Sequence, residues 1–340
     1  MPTQAPHAVT RDLVVTGSSA GGVEALPRVL RDLPRDLAAA VLIVQHLSDA
    51  SPRYLVDILA RASRLPVEWA EQGTRIAHGR VYVAPPDLHL LIVDGHLRLA
   101  HSARENRARP SIDKLFRSAA AEFGGRVIGV LLTGMLDDGV AGLRAIRDAG
   151  GAVIVQDPAD ARFPELPSRA LLALDPERVL PIDGIGSAIA ALVGQPARAA
   201  TAAPRDLALE AAFDRAEAAT PAQMDELGAL TTLACPECHG PLWQLGDEAL
   251  RRYRCYLGHV ATGRDLVAMT GEQAESALWS AVRALDGQAA ILEALAVDAQ
   301  RIGGRGNTSA YGARAREVRA QADVARRFVL DLTSGARANA

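Results

Sequence analysis

The sequence has no apolar run near the 18 or more residues of a membrane span; the longest candidate, Ala38 to Val44, is the length of a buried strand. Net charge is also small. The 37 basic and 40 acidic residues leave −3, with 21 basic and 22 acidic up to Val193 and 16 and 18 beyond it. No global field therefore draws in nucleic acid or an anionic membrane. Lysine is almost missing: Lys114 is the single one among the basic residues, which beside so much alanine reads as genome composition. Cysteine occurs three times, all within residues 235–255. That odd number argues against a disulfide framework and for a reducing compartment, so the chain is expected to be cytoplasmic. Residues 1–12 lack the apolar core of a signal peptide.

What is present is an ordinary globular balance, 49% apolar and 23% charged, over 340 residues. That length exceeds what one core sustains, about 250–300 residues, and predicts two or three domains. From Leu13 to Val193 short apolar runs alternate with helical patterns. Strands are expected at Leu13 to Thr16, Ala39 to Val44, Val127 to Leu132 and Ala152 to Val155. Helices are expected at Gly21 to Leu33, Tyr54 to Ala62, Ser111 to Phe123 (Ser111 as N-cap) and Val140 to Ala149. Arg80 to Ala84 and Leu88 to Val93 read as a strand pair around Pro85-Pro86, with Asp94-Gly95 a hairpin turn into Leu97-Arg98-Leu99. Continuous Val/Ile/Leu strands joined by helices predict an α/β fold with a doubly wound, mostly parallel sheet. Ligands of such sheets sit beyond the carboxyl ends of the strands.

Three of those ends carry chemistry. The first strand runs into Gly17-Ser18-Ser19-Ala20-Gly21-Gly22, a G-x-S-x-G between strand and helix that fits a nucleophile elbow exposing Ser19. An anion-binding glycine turn or a plain tight turn are the alternatives. The dinucleotide and P-loop patterns, however, are absent. The second strand ends in Gln45-His46, which offers His46 as general base, or as a structural histidine. A third ends in Thr133-Gly134-Met135-Leu136-Asp137-Asp138-Gly139. One aspartate there suits a helix cap and the other suits orienting an imidazole. The order Ser, His, Asp excludes the common α/β-hydrolase arrangement but not its chemistry.

These blocks, with Arg109-Pro110-Ser111-Ile112-Asp113-Lys114-Leu115-Phe116, resemble the catalytic domain of CheB-type chemotaxis methylesterases over roughly residues 11–193. The resemblance implies a protein-glutamate methylesterase and protein-glutamine glutaminase acting on the cytoplasmic helices of methyl-accepting chemoreceptor-type proteins, with no catalytic cofactor. The family's serine, histidine and aspartate match Ser19, His46 and Asp138, and Ala20 and Met135 would border the oxyanion. Asp137 stands where the family has Asn, and Leu136 where it has Gly. Because the esterase-like part begins about a dozen residues from Met1, no receiver domain is expected, and gating is expected in trans or through the C-terminal half. Once Ser19, His46 and Asp138 are all present, a non-catalytic scaffold is the weaker alternative; a small-ester hydrolase is the other.

Beyond a linker at 194–205 and a helical segment at 206–234, Cys235-Pro236-Glu237-Cys238 and Cys255-Tyr256-Leu257-Gly258-His259 give C-x₂-C and C-x₃-H sixteen residues apart. That spacing fits a structural Zn²⁺ site of Cys235, Cys238, Cys255 and His259 in a zinc-ribbon-like module at 235–262, with His239 a less favourable fourth ligand. Leu242 to Leu245 and Arg251 to Arg254 are its expected strands, around Gly246-Asp247. Arg251, Arg252 and Arg254 make a local basic patch, but the charge balance gives nucleic-acid binding little support. A helical hairpin is expected at 271–333. Its faces carry Leu278, Trp279, Val282, Leu285, Ala289, Leu292 and Leu295, and then Val318, Ala322, Val324, Phe328 and Val329. The two helices are expected to pack on each other, or to bind a protein partner or a second copy.

Overall fold

Alternating burial on two faces organises the first part of the chain. The computed structural model describes residues 9–48, 53–198, 203–302 and 305–338, in two units, Met1–Gly263 and Arg264–Ala340. The first unit begins β1 (Leu13–Ser18), α1 (Gly22–Arg31), β2 (Ala40–Gln45), α2 (Leu55–Ala62), β3 (Val67–Trp69) and β4 (Val81–Val83). A hairpin of β5 (His89–Val93) and β6 (His96–Ala100) precedes α3 (Ile112–Phe123). Then come β7 (Val127–Leu131), α4 (Val140–Asp148), β8 (Ala152–Gln156), α5 (Glu165–Ala173), β9 (Arg178–Leu180) and α6 (Ile182–Leu192).

Seven strands pair in parallel in the order β3-β4-β2-β1-β7-β8-β9. Leu13 and Val15 of β1 pack into one core with α3 and α4, while Val14 packs into the other with α1 and α6. Both faces are covered, which is why the strands read as unbroken apolar runs. The chain winds outward from β1 to β2 and returns at β7, so the switch point lies beside β1. Register sets Ser18 against Gln45 and Gly17 against Leu131, levelling the three strand ends there.

The structure corrects the strand pair expected around Pro85-Pro86. β4 is a member of the large sheet between β3 and β2, and β5 pairs with β6 instead. The turn at Asp94 (φ 50°) and Gly95 (φ 70°) is the expected hairpin turn. The two prolines carry the chain from sheet to hairpin without a ladder hydrogen bond. Ser111 caps α3 as expected, its Oγ accepting from the N–H of Lys114 at 3.4 Å. The stretch expected to be a linker is tied down at its start: Arg11 N–H donates to the Gln195 carbonyl and Ala197 N–H to that of Val9. Residues 1–8, 199–202 and 303–304, which include the start of the chain, the middle of that linker and part of the expected helical turn, lie outside the described residues.

α7 (Arg205–Ala216) and α8 (Pro221–Leu227) lead into a second sheet of β10 (Ala229–Ala234), β11 (Pro241–Leu245), β12 (Arg252–Cys255) and β13 (Val260–Thr262), antiparallel in that order. The expected helical segment at 206–234 therefore ends in a strand, favoured by Thr231 and Thr232. Phe213, Met224, Trp243 and Leu245 form its small core. A buried ionic lattice joins this sheet to α3. Arg117 pairs with Glu105 (2.7 Å) and Asp214 (2.6 Å), Arg254 with Asp214 (3.1 Å), and Arg252 with Glu210 (2.9 Å). Three guanidinium groups thus meet three carboxylates.

The second unit is the expected helical hairpin, α9 (Gly263–Arg301) and α10 (Arg305–Ala338), with Arg319–Glu293 and Arg326–Asp286 ion pairs of 2.7 Å across it. Val282, Ala289, Val318, Ala322 and Val329 are buried, but Leu295, Val324 and Phe328 are exposed, against expectation. Two helices meet along one narrow seam, which cannot cover a wider apolar stripe. Among the described residues no helix is long and apolar enough to cross a membrane.

Removing one member of the ionic lattice leaves uncompensated buried charge, so Asp214→Ala should lower stability to urea by about 3–5 kcal/mol. Burial works to raise the carboxyls of Asp214 and Glu210, but the arginines outweigh it and hold both below their ordinary values. Their contribution is thus complete above the unfolded-chain range, about pH 4, and is lost as pH falls through the depressed values. The difference in urea midpoint between wild type and Asp214→Ala, measured downward from pH 7, should be constant until near pH 4 and then shrink. A difference that grows on acidification would contradict this sign.

Candidate active site

The three side chains singled out at the strand ends meet. Ser19 follows β1, His46 follows β2, and Asp138 lies between β7 and α4. His46 Nδ1 is 3.1 Å from Ser19 Oγ, and its Nε2 is 2.7 Å from Asp138 Oδ2. In the common serine-protease arrangement the nitrogens have the opposite roles, Nε2 facing the serine. Either nitrogen serves, provided that the one facing the carboxylate carries the proton. An ionised carboxylate only accepts, so Nε2–H donates to Asp138, and Nδ1 is left to accept from the Ser19 hydroxyl.

Asp138 is buried, with 3% of its side chain exposed against 21% for His46. Its charge is met by donors at the start of α3. Oδ2 accepts from the Ile112 N–H (2.7 Å) and from His46; Oδ1 accepts from Ser111 Oγ (2.8 Å), Asn106 Nδ2 (3.2 Å) and Asp113 N–H (3.3 Å). The positive end of the helix faces it. Burial works to raise its carboxyl, but the His46 bond and charge, with Ile112 and Ser111, outweigh this and hold it below the ordinary range.

Gln45 was not foreseen as a site residue, although a buried amide at a strand end is the signal that marks it. Its Nε2 donates to the carbonyls of Ser19 and His46, both at 2.8 Å, and its Oε1 accepts from Ser18 Oγ at 2.6 Å. One amide thus ties together the turns that carry Ser19 and His46. Asn106 was likewise unforeseen. Gly21, at φ 80°, begins α1 in the left-handed region that glycine tolerates. Ser19 N–H is engaged by the Thr133 carbonyl (3.1 Å) and Gly134 N–H by that of Phe163 (3.0 Å). Ala20 and Met135 are the next residues along each turn, and Met135 is half exposed.

The two departures in the Asp138 turn have local accounts. Leu136 takes φ 65°, a conformation in which glycine is free of strain and leucine is not. The Asp137 carboxylate meets Arg169 at 2.9 Å and accepts from Thr262 Oγ1 at 3.3 Å, so the extra charge is paired.

In the small sheet, Cys235, Cys238, Cys255 and His259 offer donor atoms all within 4.8 Å of one another. Cys238 Sγ lies 3.7 Å from Cys255 Sγ, which is 3.5 Å from His259 Nδ1. Metal–sulfur bonds of about 2.3 Å give a tetrahedral S–S edge of about 3.8 Å, so the spacing suits a tetrahedral cation. Crowding divides the thiols: hydrogen bonding from Cys255 pulls Cys235 down to about 3, and the same bond pushes Cys255 up. This cluster can hold a metal. His239, the less favoured alternative, is not among its donors; with φ 59°, it shapes the first knuckle by donating its N–H to the Cys235 carbonyl.

Residues 14–189 match the CheB methylesterase family. The chain is 43% identical over 178 residues to protein-glutamate methylesterase/protein-glutamine glutaminase 2 of Anaeromyxobacter dehalogenans, a match covering 52% of each chain. It thus spans about half the length of that curated relative. Protein-glutamate methylesterase FrzG of Myxococcus xanthus is 40% identical over 178 residues, 52% of this chain and 53% of that one. Among solved structures, the Thermotoga maritima CheB methylesterase catalytic domain aligns over its whole length and 54% of this chain, with TM-score 0.51 and 32% identity.

A Cβ on Gly22 would collide with Gln45 Oε1 and crowd Ser18 Oγ at 2.6 Å. Gly22→Ala should therefore displace the amide that ties the two turns and slow labelling of Ser19 by a fluorophosphonate about a hundredfold. A wild-type labelling rate would show that the Gln45 tie is dispensable.

Proposed function

This chain belongs to the CheB methylesterase family, and from that premise we propose that it is a cytoplasmic serine hydrolase of γ-glutamyl methyl esters on chemoreceptor-type proteins. Deamidation of glutamines there is the companion reaction. The observation that carries the reading is the unbroken contact series Ser19 Oγ, His46 Nδ1, His46 Nε2, Asp138 Oδ2, at 3.1 and 2.7 Å.

In this mechanism His46 Nδ1 takes the Ser19 proton as Oγ attacks the ester carbonyl. Asp138 keeps the ring oriented and stabilises the imidazolium. The carbonyl oxygen, now an oxyanion, is received by the N–H groups of Ala20 and Met135, the donors next to those held by Thr133 and Phe163. The intermediate collapses, His46 returns the proton, and methanol leaves. Water activated by the same nitrogen attacks the acyl-enzyme, and glutamate is released with Ser19 restored. With glutamine as substrate the leaving group is ammonia. Gly134 lies against Ser19, and the next residues, Met135 and Leu136, are exposed, an edge that suits a side chain presented from a partner's helix.

The Cys235, Cys238, Cys255 and His259 set is assigned to a structural Zn²⁺, since four protein donors leave no open position for chemistry. The reaction uses groups of this chain and water alone. The helices of the second unit are assigned to a protein partner or to self-association.

Ser19→Ala should lower methanol release from methylated receptor by about 10⁴-fold or more and abolish fluorophosphonate labelling, with the fold retained. Unlabelled wild-type protein would favour a scaffold. Rapid turnover of small esters with none of receptor would favour a small-ester hydrolase. Near wild-type turnover by Ser19→Ala would end the assignment.

A further inference from the structure

Asn106 holds Asp138 from the side opposite His46, in a loop with two adjacent oddities. Asn106 and Arg107 both adopt left-handed backbone, φ 49° and 65°. The buried Oδ1 of Asn106 has no hydrogen-bond partner. A strained pair and an orphaned acceptor persist only where the surroundings dictate them. The amide nitrogen shows what is gained: its two hydrogens go to Asp113 Oδ2 (2.9 Å) and Asp138 Oδ1 (3.2 Å). Two buried carboxyl groups are thus joined by one amide.

Their surroundings push them in opposite directions. Asp113, whose Oδ1 accepts from the Gly142 N–H at 2.6 Å, is pushed well above the ordinary range by burial and then by Asp138 and Glu105. Asp138 is held below it. The groups around the pair are His46 from the turn after β2, Glu105 beside Asn106, Arg117 on α3 and Arg252 on β12, with Asp137 next in sequence to Asp138 and paired to Arg169.

The same loop is gripped by the Cys/His module. Asn106 N–H donates to the Val260 carbonyl at 2.8 Å, and Val260 N–H to that of Arg104 at 3.4 Å. Val260 directly follows His259 and opens β13. Glu105 is fixed through Arg117, Asp214 and Arg254, the last next to Cys255.

We propose that Asn106 is a positioning residue for Asp138 and that the Cys/His module sets it, through the Val260 carbonyl, so that an intact module is a condition of full reactivity at Ser19. This rests on the reading of Ser19, His46 and Asp138 as a triad. The module is then a brace behind the catalytic acid and takes no part in the chemistry.

The test uses the full chain, with Asn106→Ala, the shape-conserving Asn106→Asp (which tolerates left-handed backbone), Cys238→Ser, and the Asn106→Ala/Cys238→Ser double variant. Fluorophosphonate inactivation rates are measured against pH, and the downfield N–H proton resonance of the His46–Asp138 bond is followed by NMR. Zinc content is measured for each protein. Asn106→Ala should react about tenfold more slowly at pH 7, whereas Asn106→Asp, whose buried carboxyl stays protonated between Asp113 and Asp138 and donates to one of them, should recover part of the rate. In Asn106→Ala, Asp138 loses one donor and holds the imidazolium more firmly. The acid limb of its rate profile should therefore move upward by roughly half a unit. Cys238→Ser should lose zinc and slow labelling to a similar degree. The double variant should be little slower than either single one, since both act on one contact. An unmoved acid limb and unchanged resonance in Asn106→Ala, or full reactivity in zinc-free Cys238→Ser, would overturn the inference. The resonance needs no substrate, so it tests Asn106 even if wild-type protein releases no methanol, a result that would instead remove the esterase assignment.

Discussion

The arrangement depends on one buried carboxylate. Asp138 has little access to water, and an isolated charge in that position would neutralise itself by taking up a proton. It is held ionised because the first turn of α3 supplies the Ile112 and Asp113 N–H groups, the Ser111 hydroxyl and the helix dipole, and Asn106 and His46 supply the other donors. Ser111 thereby has two tasks: its oxygen caps the helix and its proton serves Asp138. The Arg-Pro-Ser-Ile-Asp run thus belongs to the site, although no member of it faces Ser19 in the relay.

Much of this was legible because parallel sheets advertise their strand ends. Ser19, His46 and Asp138 each follow a buried apolar run, and a doubly wound sheet brings such ends to one rim. The fold class followed from the same runs, and the hairpin turn from Asp94-Gly95. Pairing partners were not legible: Val81 to Val83 is short and apolar, and nothing local tells a central strand from half of a hairpin. Gln45 and Asn106 were missed for a related reason. Each acts by joining groups that the fold brings together, and a single amide carries no periodicity. The seam of the helical hairpin was over-read, because apolar spacing marks a face and not its covered width.

The departures from the family pattern near Asp138 are absorbed by neighbours. Asp137 gains Arg169 and Thr262, the latter from β13, and Leu136 accepts a left-handed backbone at an exposed edge. The small sheet touches that turn through Thr262 and the Asn106 loop through Val260. Its Cys/His cluster, its arginines and its last strand are one continuous support. That connection ties a feature legible from cysteine spacing to a carboxylate distant in the sequence.

The most direct measurement is methanol release from methylated receptor by Asp138→Asn, beside a urea titration of the same protein. The substitution keeps the shape but cannot hold His46 as an imidazolium partner. The account predicts a folded protein whose turnover falls by about 10⁴-fold. A folded Asp138→Asn protein that turns over at the wild-type rate would contradict it.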